Sequence, residues 1–256
     1  MAASPLTRSV HPNKTYGMKA DLPIVYRKSS AVFAAFPCPL RVLRPLLPHP
    51  VLAPVSLGLG KGVLVVGVFD HEETSIGAHR EVGIGFQCRL RSSGPMPLLP
   101  LLADRLFEDV GTWLQLVPTS TAAAADAGAQ GWGLPKLVAD VRVERTDDRI
   151  DCEVVENGER ILHFSAERPG RSGPSALPVR FYSALGDEVL FTEMHVDAAC
   201  AASRIGARAR LELADHPRVR DLDPEALAKA KPLEVRWFDE YRTMLDRPAI
   251  RYRMSA

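Results

Sequence analysis

The feature that most constrains this chain is a series of short apolar runs, each closed by a turn residue before a long helix could form. The runs 62-GVLVVGVFD-70, 81-EVGIGFQCRL-90, 137-LVADVRVER-145 and 149-RIDCEVVE-156 are rich in β-branched residues and bounded by Gly, Asp or Asn, which predicts strands. Within 137–145, Val141 and Val143 alternate with Arg142 and Glu144, the period of a half-buried antiparallel strand. Asn157-Gly158 is the strongest two-residue hairpin signal in the chain, because both turn positions require positive φ. Further strands are expected over 178–184, 188–197, 206–213 and 232–238, and 169-PGRSGPSALP-178 reads as a long loop.

Helical signals are fewer. 39-PLRVLRPLLP-48 supports a turn of helix at best, since Pro45 interrupts it. 98-LLPLLADRLFEDV-110 has Leu102, Leu106 and Val110 at four-residue spacing, with a strand possible towards Trp113. 119-TSTAAAADAGA-129 offers a Ser or Thr cap, a run of alanines, and Gly128 as a stop. The expectation is a mainly β, α+β fold: an antiparallel barrel or two-sheet cone enclosing a small-molecule pocket. No linker or repeat divides it, so one domain is expected over 1–256.

The 256 residues are 46% hydrophobic and 25% charged, enough apolar material for a sizeable core. A net charge of +1 gives no field for nucleic acid or an anionic membrane, and neither partner is expected. The N-terminal segment lacks the apolar stretch of a signal peptide, and no apolar run approaches the roughly 18–20 residues of a membrane span. Cys38, Cys88, Cys152 and Cys200 are scattered without metal-ligand spacing, as buried thiols of a reducing compartment are. A cytoplasmic protein is expected.

Several chemical motifs fail on inspection. 58-GLGKG-62 lacks the first P-loop glycine, and Gly62 stands where Ser or Thr would hold magnesium. 71-HEETSIGAH-79 has two His and two Glu but not the spacing that puts two imidazoles on one helical face, so no metal is expected. No nucleophile elbow is present.

Lys136, in 131-GWGLPKLVAD-140, is set between a proline and an apolar run. An ammonium taken into a dry pocket loses hydration, and the free amine that results is a nucleophile able to form a Schiff base. An ordinary lysine pointing out of a strand, with Gly131, Gly133 and Pro135 as turn punctuation, fits the same residues.

The segment 128-GAQGWGLPK-136 resembles the acetoacetate decarboxylase family, whose pattern reads approximately G-R-E-x-x-G-x-P-K. 74-TSIGAHREV-82 is similar to its T-D-x-G-x-Y-x-E segment, 22-LPIVYR-27 to an early strand, and 210-RLELADHP-217 to an R-L-x-L-x-D-H segment. The four anchors keep their order over a core of about residues 16–245. The resemblance implies a β fold around a pocket, a homo-oligomer, no cofactor, Lys136 as Schiff-base nucleophile and Glu81 as the facing acid/base. It also implies Lys19 as a basic pocket residue, Gln130 at the position of the family's glutamate, and Trp132 in the pocket wall.

Two departures bear on the reaction. Acetoacetate decarboxylases follow the nucleophile with a second lysine, where this chain has Leu137, so desolvation must replace the neighbouring cation. A second acidic pocket position falls on Val66. The resemblance therefore implies a lyase decarboxylating a small β-keto acid through a Lys136 iminium. The alternatives are a Schiff-base aldolase or dehydratase acting on a 2-oxo acid, and a binding protein without turnover.

Overall fold

A computed structural model describes residues 6–9, 21–47, 49–91, 107–248 and 250–254. In chain order the strands begin with β1 (Leu6–Ser9) and β2 (Ile24–Pro39), followed by helix α1 (Leu40–Leu43), β3 (Leu52–Pro54), β4 (Lys61–Thr74) and β5 (His79–Leu90). Then come β6 (Gly111–Thr119), α2 (Ala122–Trp132), β7 (Lys136–Val138), β8 (Asp140–Arg145), β9 (Arg149–Glu156) and β10 (Glu159–Glu167). β11 (Gly173–Leu185), β12 (Glu188–Ser203), β13 (Ala209–Leu213), α3 (Pro224–Ala228), β14 (Glu234–Leu245) and β15 (Ile250–Met254) complete the chain.

Alternation along the strands builds two interiors. On β4, Leu64, Val66 and Val68 are buried in the main core, while Val65, Gly67, Phe69 and His71 face the opposite side and line a cavity. β5 repeats the division, with Val82, Ile84 and Phe86 in the core and Glu81 and Gly83 at the cavity. The strands follow the order β12-β11-β6-β5-β4-β2-β14 and return to β12, so the sheet closes into a barrel. Among the described residues the ring is weakest between β11 and β6, which pair only at Phe181 and Tyr182.

A second sheet, ordered β13-β10-β9-β8, covers the barrel's outer side. Val141, Val154, Leu162 and Phe164 from this sheet share one apolar core with Val66, Ile84 and Trp237 of the barrel. The Arg145 guanidinium lies 4.5 Å above the Trp237 ring and donates to Asp239 at 3.1 Å, tying the two sheets together.

The strand expectations hold for 62–70, 81–90 and 149–156, and Asn157 and Gly158 take φ of 53° and 86° in the hairpin between β9 and β10. Three readings need correction. The run 137–145 is not one strand: β7 pairs with β6 in the barrel, and the chain crosses at Ala139 into the second sheet. The stretch 169–178 is a loop only as far as Ser172, because β11 pairs with β12 from Gly173↔Cys200 onward. Its prolines are tolerated because, among the described residues, β6 meets β11 only at Phe181 and Tyr182, leaving Pro174 and Pro178 on an open edge. Gly128 does not stop α2; the helix runs to Trp132 and ends at Gly133, whose φ is 59°. Residues 98–106 of the expected 98–110 helix lie outside the described residues.

Candidate active site

Lys136 reaches the barrel interior because β6 changes partners. Its first half pairs with β11, and its second half pairs in parallel with β7, with Val117 opposite Lys136. The helix between them delivers the lysine at a fixed distance. Thr121 caps α2 by accepting from the Ala124 amide at 3.3 Å, and at its other end Leu134 N–H donates to the Gly128 carbonyl at 3.2 Å. Gly128 lies inside the helix against the lysine's methylenes, where a β-carbon would stand 2.6 Å from both Cδ and Cε. The lysine side chain is 5% exposed.

Lys136 Nζ donates to Glu81 Oε2 at 2.5 Å. Burial pushes the Glu81 carboxyl up, but the Lys136 ammonium, followed by His71 and His79, outweighs burial and holds it well below the usual carboxylate range. His71 Nε2 stands 3.8 Å from Glu81 Oε1, and His79 Nε2 stands 4.0 Å from Oε2. Burial, and then His71, pushes the His79 imidazole down, which keeps it neutral near pH 7. The rings of Tyr26 and Phe69 pack on His71 at 4.6 and 5.5 Å. Burial also pushes the Tyr26 and Tyr241 phenols up, so both stay protonated around the pair.

The pair opens on a cavity with about 100 Å³ of room for water-sized molecules. One water needs roughly 10–15 Å³ on that measure, so the space admits a small organic acid. Its walls are mainly apolar, with Val65, Leu114, Phe181 and Met194 among them. Arg180 brings a second cation to this lining and is itself paired with Glu193.

The structure thus brings Lys136 and Glu81 together. Trp132 is fully buried one layer further out, packed with Leu134 and Phe181, and its indole N–H donates to the Asp246 carbonyl at 2.9 Å. Gln130 is half-buried on α2, and neither Gln130 nor Trp132 is among the described residues lining the cavity. Lys19 lies outside the described residues. Val66 points into the main core rather than the pocket, so the cavity positions of β4 are its neighbours Val65 and Gly67. Leu137, next to Lys136 along β7, packs against the main core instead of the cavity.

His71 and His79 escaped the sequence reading because helical spacing was the wrong ruler. They are cross-strand partners in the hairpin that joins β4 to β5. Thr74-Ser75-Ile76-Gly77, centred between them, was the signal: a turn there sets 71 opposite 79 and puts 81 on the same face.

A mostly β barrel closed around a cavity is the acetoacetate decarboxylase fold, and solved structures match it over nearly the whole chain. Acetoacetate decarboxylase from Legionella pneumophila has 15% identity and a TM-score of 0.62, covering 92% of this chain and 93% of its own. The enduracididine biosynthesis enzyme MppR complexed with pyruvate has 14% identity and a TM-score of 0.59, covering 89% and 90%. An acetoacetate decarboxylase-like enzyme from Sphingomonas wittichii has 13% identity and a TM-score of 0.57, covering 94% and 98%. Curated protein sequences give no match. The chain belongs to the acetoacetate decarboxylase family, whose model, described as acetoacetate decarboxylase (ADC), matches residues 9–219.

Proposed function

We propose that this protein is a Schiff-base-forming carbon–carbon lyase that decarboxylates a small β-keto acid. The observation that carries this reading is the buried Lys136–Glu81 pair, 2.5 Å apart at the end of an apolar cavity. Lys136 gives a proton to Glu81 and attacks the ketone carbon, and loss of water leaves an iminium. The carbon–carbon bond to the carboxylate breaks, CO₂ departs, and the electron pair moves into the iminium to give an enamine. Protonation at carbon followed by hydrolysis releases the ketone and restores the lysine.

Glu81 suits both proton transfers because its carboxyl responds to the charge on Lys136. The charge of Lys136 offsets the burial that favours its neutral form. At the carbinolamine stage the nitrogen is neutral, so burial prevails and Glu81 holds the proton it took from Lys136 and gives it to the departing water. At the enamine stage the nitrogen is neutral again, and Glu81 takes a proton from solvent water and passes it to carbon. No metal or organic cofactor enters this scheme, because the iminium is the electron sink. Lys19 or Arg180 would bind the substrate carboxylate, and Trp132 would support the wall from behind. A homo-oligomer in the cytoplasm belongs to the same proposal, and light scattering checks the assembly.

A specific observation favours a second reading, aldol or dehydration chemistry on a 2-oxo acid. The cavity positions Val65 and Gly67 carry no second acid, and MppR, of the same fold, has been solved with pyruvate. Borohydride reduction with acetoacetate and pyruvate in turn, followed by intact-mass measurement and peptide mapping, tests the imine. An adduct on Lys136 that disappears in Lys136→Ala supports the lyase. CO₂ release from acetoacetate then selects decarboxylation, and carbon–carbon bond formation with pyruvate selects the second reading. Full turnover by Lys136→Ala would sink both, and ligand-dependent thermal stabilisation without an adduct would point to a binding protein.

A further inference from the structure

The hairpin between β4 and β5 places His71, His79 and Glu81 together, and one ligand atom from each lies within 4.8 Å of the others. His79 is the informative member. Its Nδ1 stands 2.9 Å from the Gly77 carbonyl, and a carbonyl can only accept, so Nδ1 carries the proton and Nε2 presents a lone pair. That Nε2 is buried without a hydrogen-bond partner and faces Glu81 Oε2 at 4.0 Å. A buried lone pair turned towards a carboxylate is satisfied only by a cation or a proton donor between them. His71 Nδ1 stands 2.9 Å from Ser29 Oγ, a hydroxyl that can accept or donate, and its Nε2 is turned to Glu81 at 3.8 Å. With Ser29 Oγ accepting from His71 Nδ1, as the Gly77 carbonyl does from His79, both Nε2 atoms are left for a metal, the usual support of histidine ligands.

We infer that His71, His79 and Glu81 form a site for a divalent transition metal, Zn²⁺ by ligand type, which competes with the Lys136 ammonium for Glu81. Two imidazoles and one carboxylate suit zinc, with a fourth position left open. Bonds of about 2.0–2.1 Å in a tetrahedral site set ligand atoms about 3.4 Å apart, within reach of small side-chain rotations from the present spacing. His71 and Glu81 also line the cavity, so the open position faces the space where a ligand would enter. Lys136 Nζ holds that side of Glu81, and two cations sharing one carboxylate in a dry site repel each other strongly. Metal binding and the Lys136–Glu81 pair are therefore alternatives, and the metal-loaded site keeps the lysine from its proton acceptor. The inference rests on ligand geometry and holds whether or not Lys136 forms an imine.

The test is a Co²⁺ titration of the full-length protein after chelator treatment, read by the visible absorption of tetrahedral cobalt, with Zn²⁺ added to displace it. One equivalent is expected to bind. His79→Gln is expected to weaken binding by more than the roughly 10- to 100-fold that loss of an outer partner costs. Lys136→Met removes the competing charge and is expected to tighten binding about tenfold or more. The lysine variant keeps all three ligands, so the test survives if the histidine variant does not fold. No cobalt absorption in the wild type, or an affinity that either folded variant leaves unchanged, overturns the proposal.

Discussion

Gly128 and Lys136 are fitted to each other: the helix face missing a side chain at 128 is the surface along which the lysine's methylenes run. The motif that links them in sequence, eight residues from glycine to lysine, is thus a packing requirement as well as a turn. In Gly128→Ala the added methyl meets the far, flexible part of a lysine while the helix gains about 0.8–1.0 kcal/mol of propensity. The fold is expected to hold, with a melting temperature within a few degrees of wild type. The lysine is expected to move, and a displacement of about 1 Å costs on the order of 100-fold in reactivity. Borohydride trapping compared with thermal melting separates the two effects, and undiminished trapping would refute the fit.

Glu81→Gln leaves the Lys136 ammonium buried without its counter-charge. Breaking a buried pair costs about 3–5 kcal/mol, and losing the proton carrier costs roughly 10²- to 10⁴-fold in rate. Adding Lys136→Met to Glu81→Gln removes the stranded charge. That double variant is expected to regain much of the stability and none of the activity. Denaturant melts of the single and double variants check this, and strictly additive losses would contradict it.

Gly83 forms part of the cavity floor, and among the described residues a β-carbon there meets only Leu114 and Phe69, at 3.8 and 3.9 Å. Gly83→Val should fold and fill space next to the pair. KM is expected to rise several-fold for keto acids with longer chains and to change least for the smallest that is turned over. A uniform change across a chain-length series would mean that the substrate does not pass over Gly83.

Asp239 joins the two sheets through hydrogen bonds from Ser172, Trp237, Arg145 and Arg168. Burial pushes its carboxyl up, but these donors and the two arginine charges outweigh burial and hold it below the usual range. A depressed carboxylate stabilises the fold above its unfolded value of about 3.9. The contribution is lost as pH falls from there through the lower folded value. Asp239→Asn is expected to lose about 1–3 kcal/mol at neutral pH, with the gap to wild type closing in acid. A gap that stays constant down to pH 3 would exclude the ionised carboxylate as its source.

What was legible in the sequence was whatever is decided locally. Asn157 and Gly158 adopt the positive φ that their hairpin needs wherever the flanking strands lie. The apolar run of β4 announced a strand, but not which of its faces meets the second sheet, and that choice sends Val66 into the core and Val65 to the cavity. Lys136 and Glu81 emerged through a resemblance, since nothing local says that β6 will divide its pairing between β11 and β7. The histidines were visible as residues but not as neighbours. Their meeting depends on hairpin register, which a search for helical spacing cannot detect.

The seam between β2 and β14, where Ile24 pairs with Leu245, joins segments from opposite ends of the chain. Glu81 and the two histidines come from a single hairpin, and Lys136 from a short strand–helix–strand unit beside it. The proposed reacting groups can therefore be assembled by short-range contacts, while their dryness depends on a pairing between distant parts of the chain. Opening that seam would carry Tyr26 and Tyr241 away from the cavity and hydrate the site, while Lys136, Glu81 and the two histidines stay on their own strands. Slow hydrogen exchange along β2 and β14 would then report how dry the proposed nucleophile is kept, which makes ring closure as much a part of the candidate site as the residues within it.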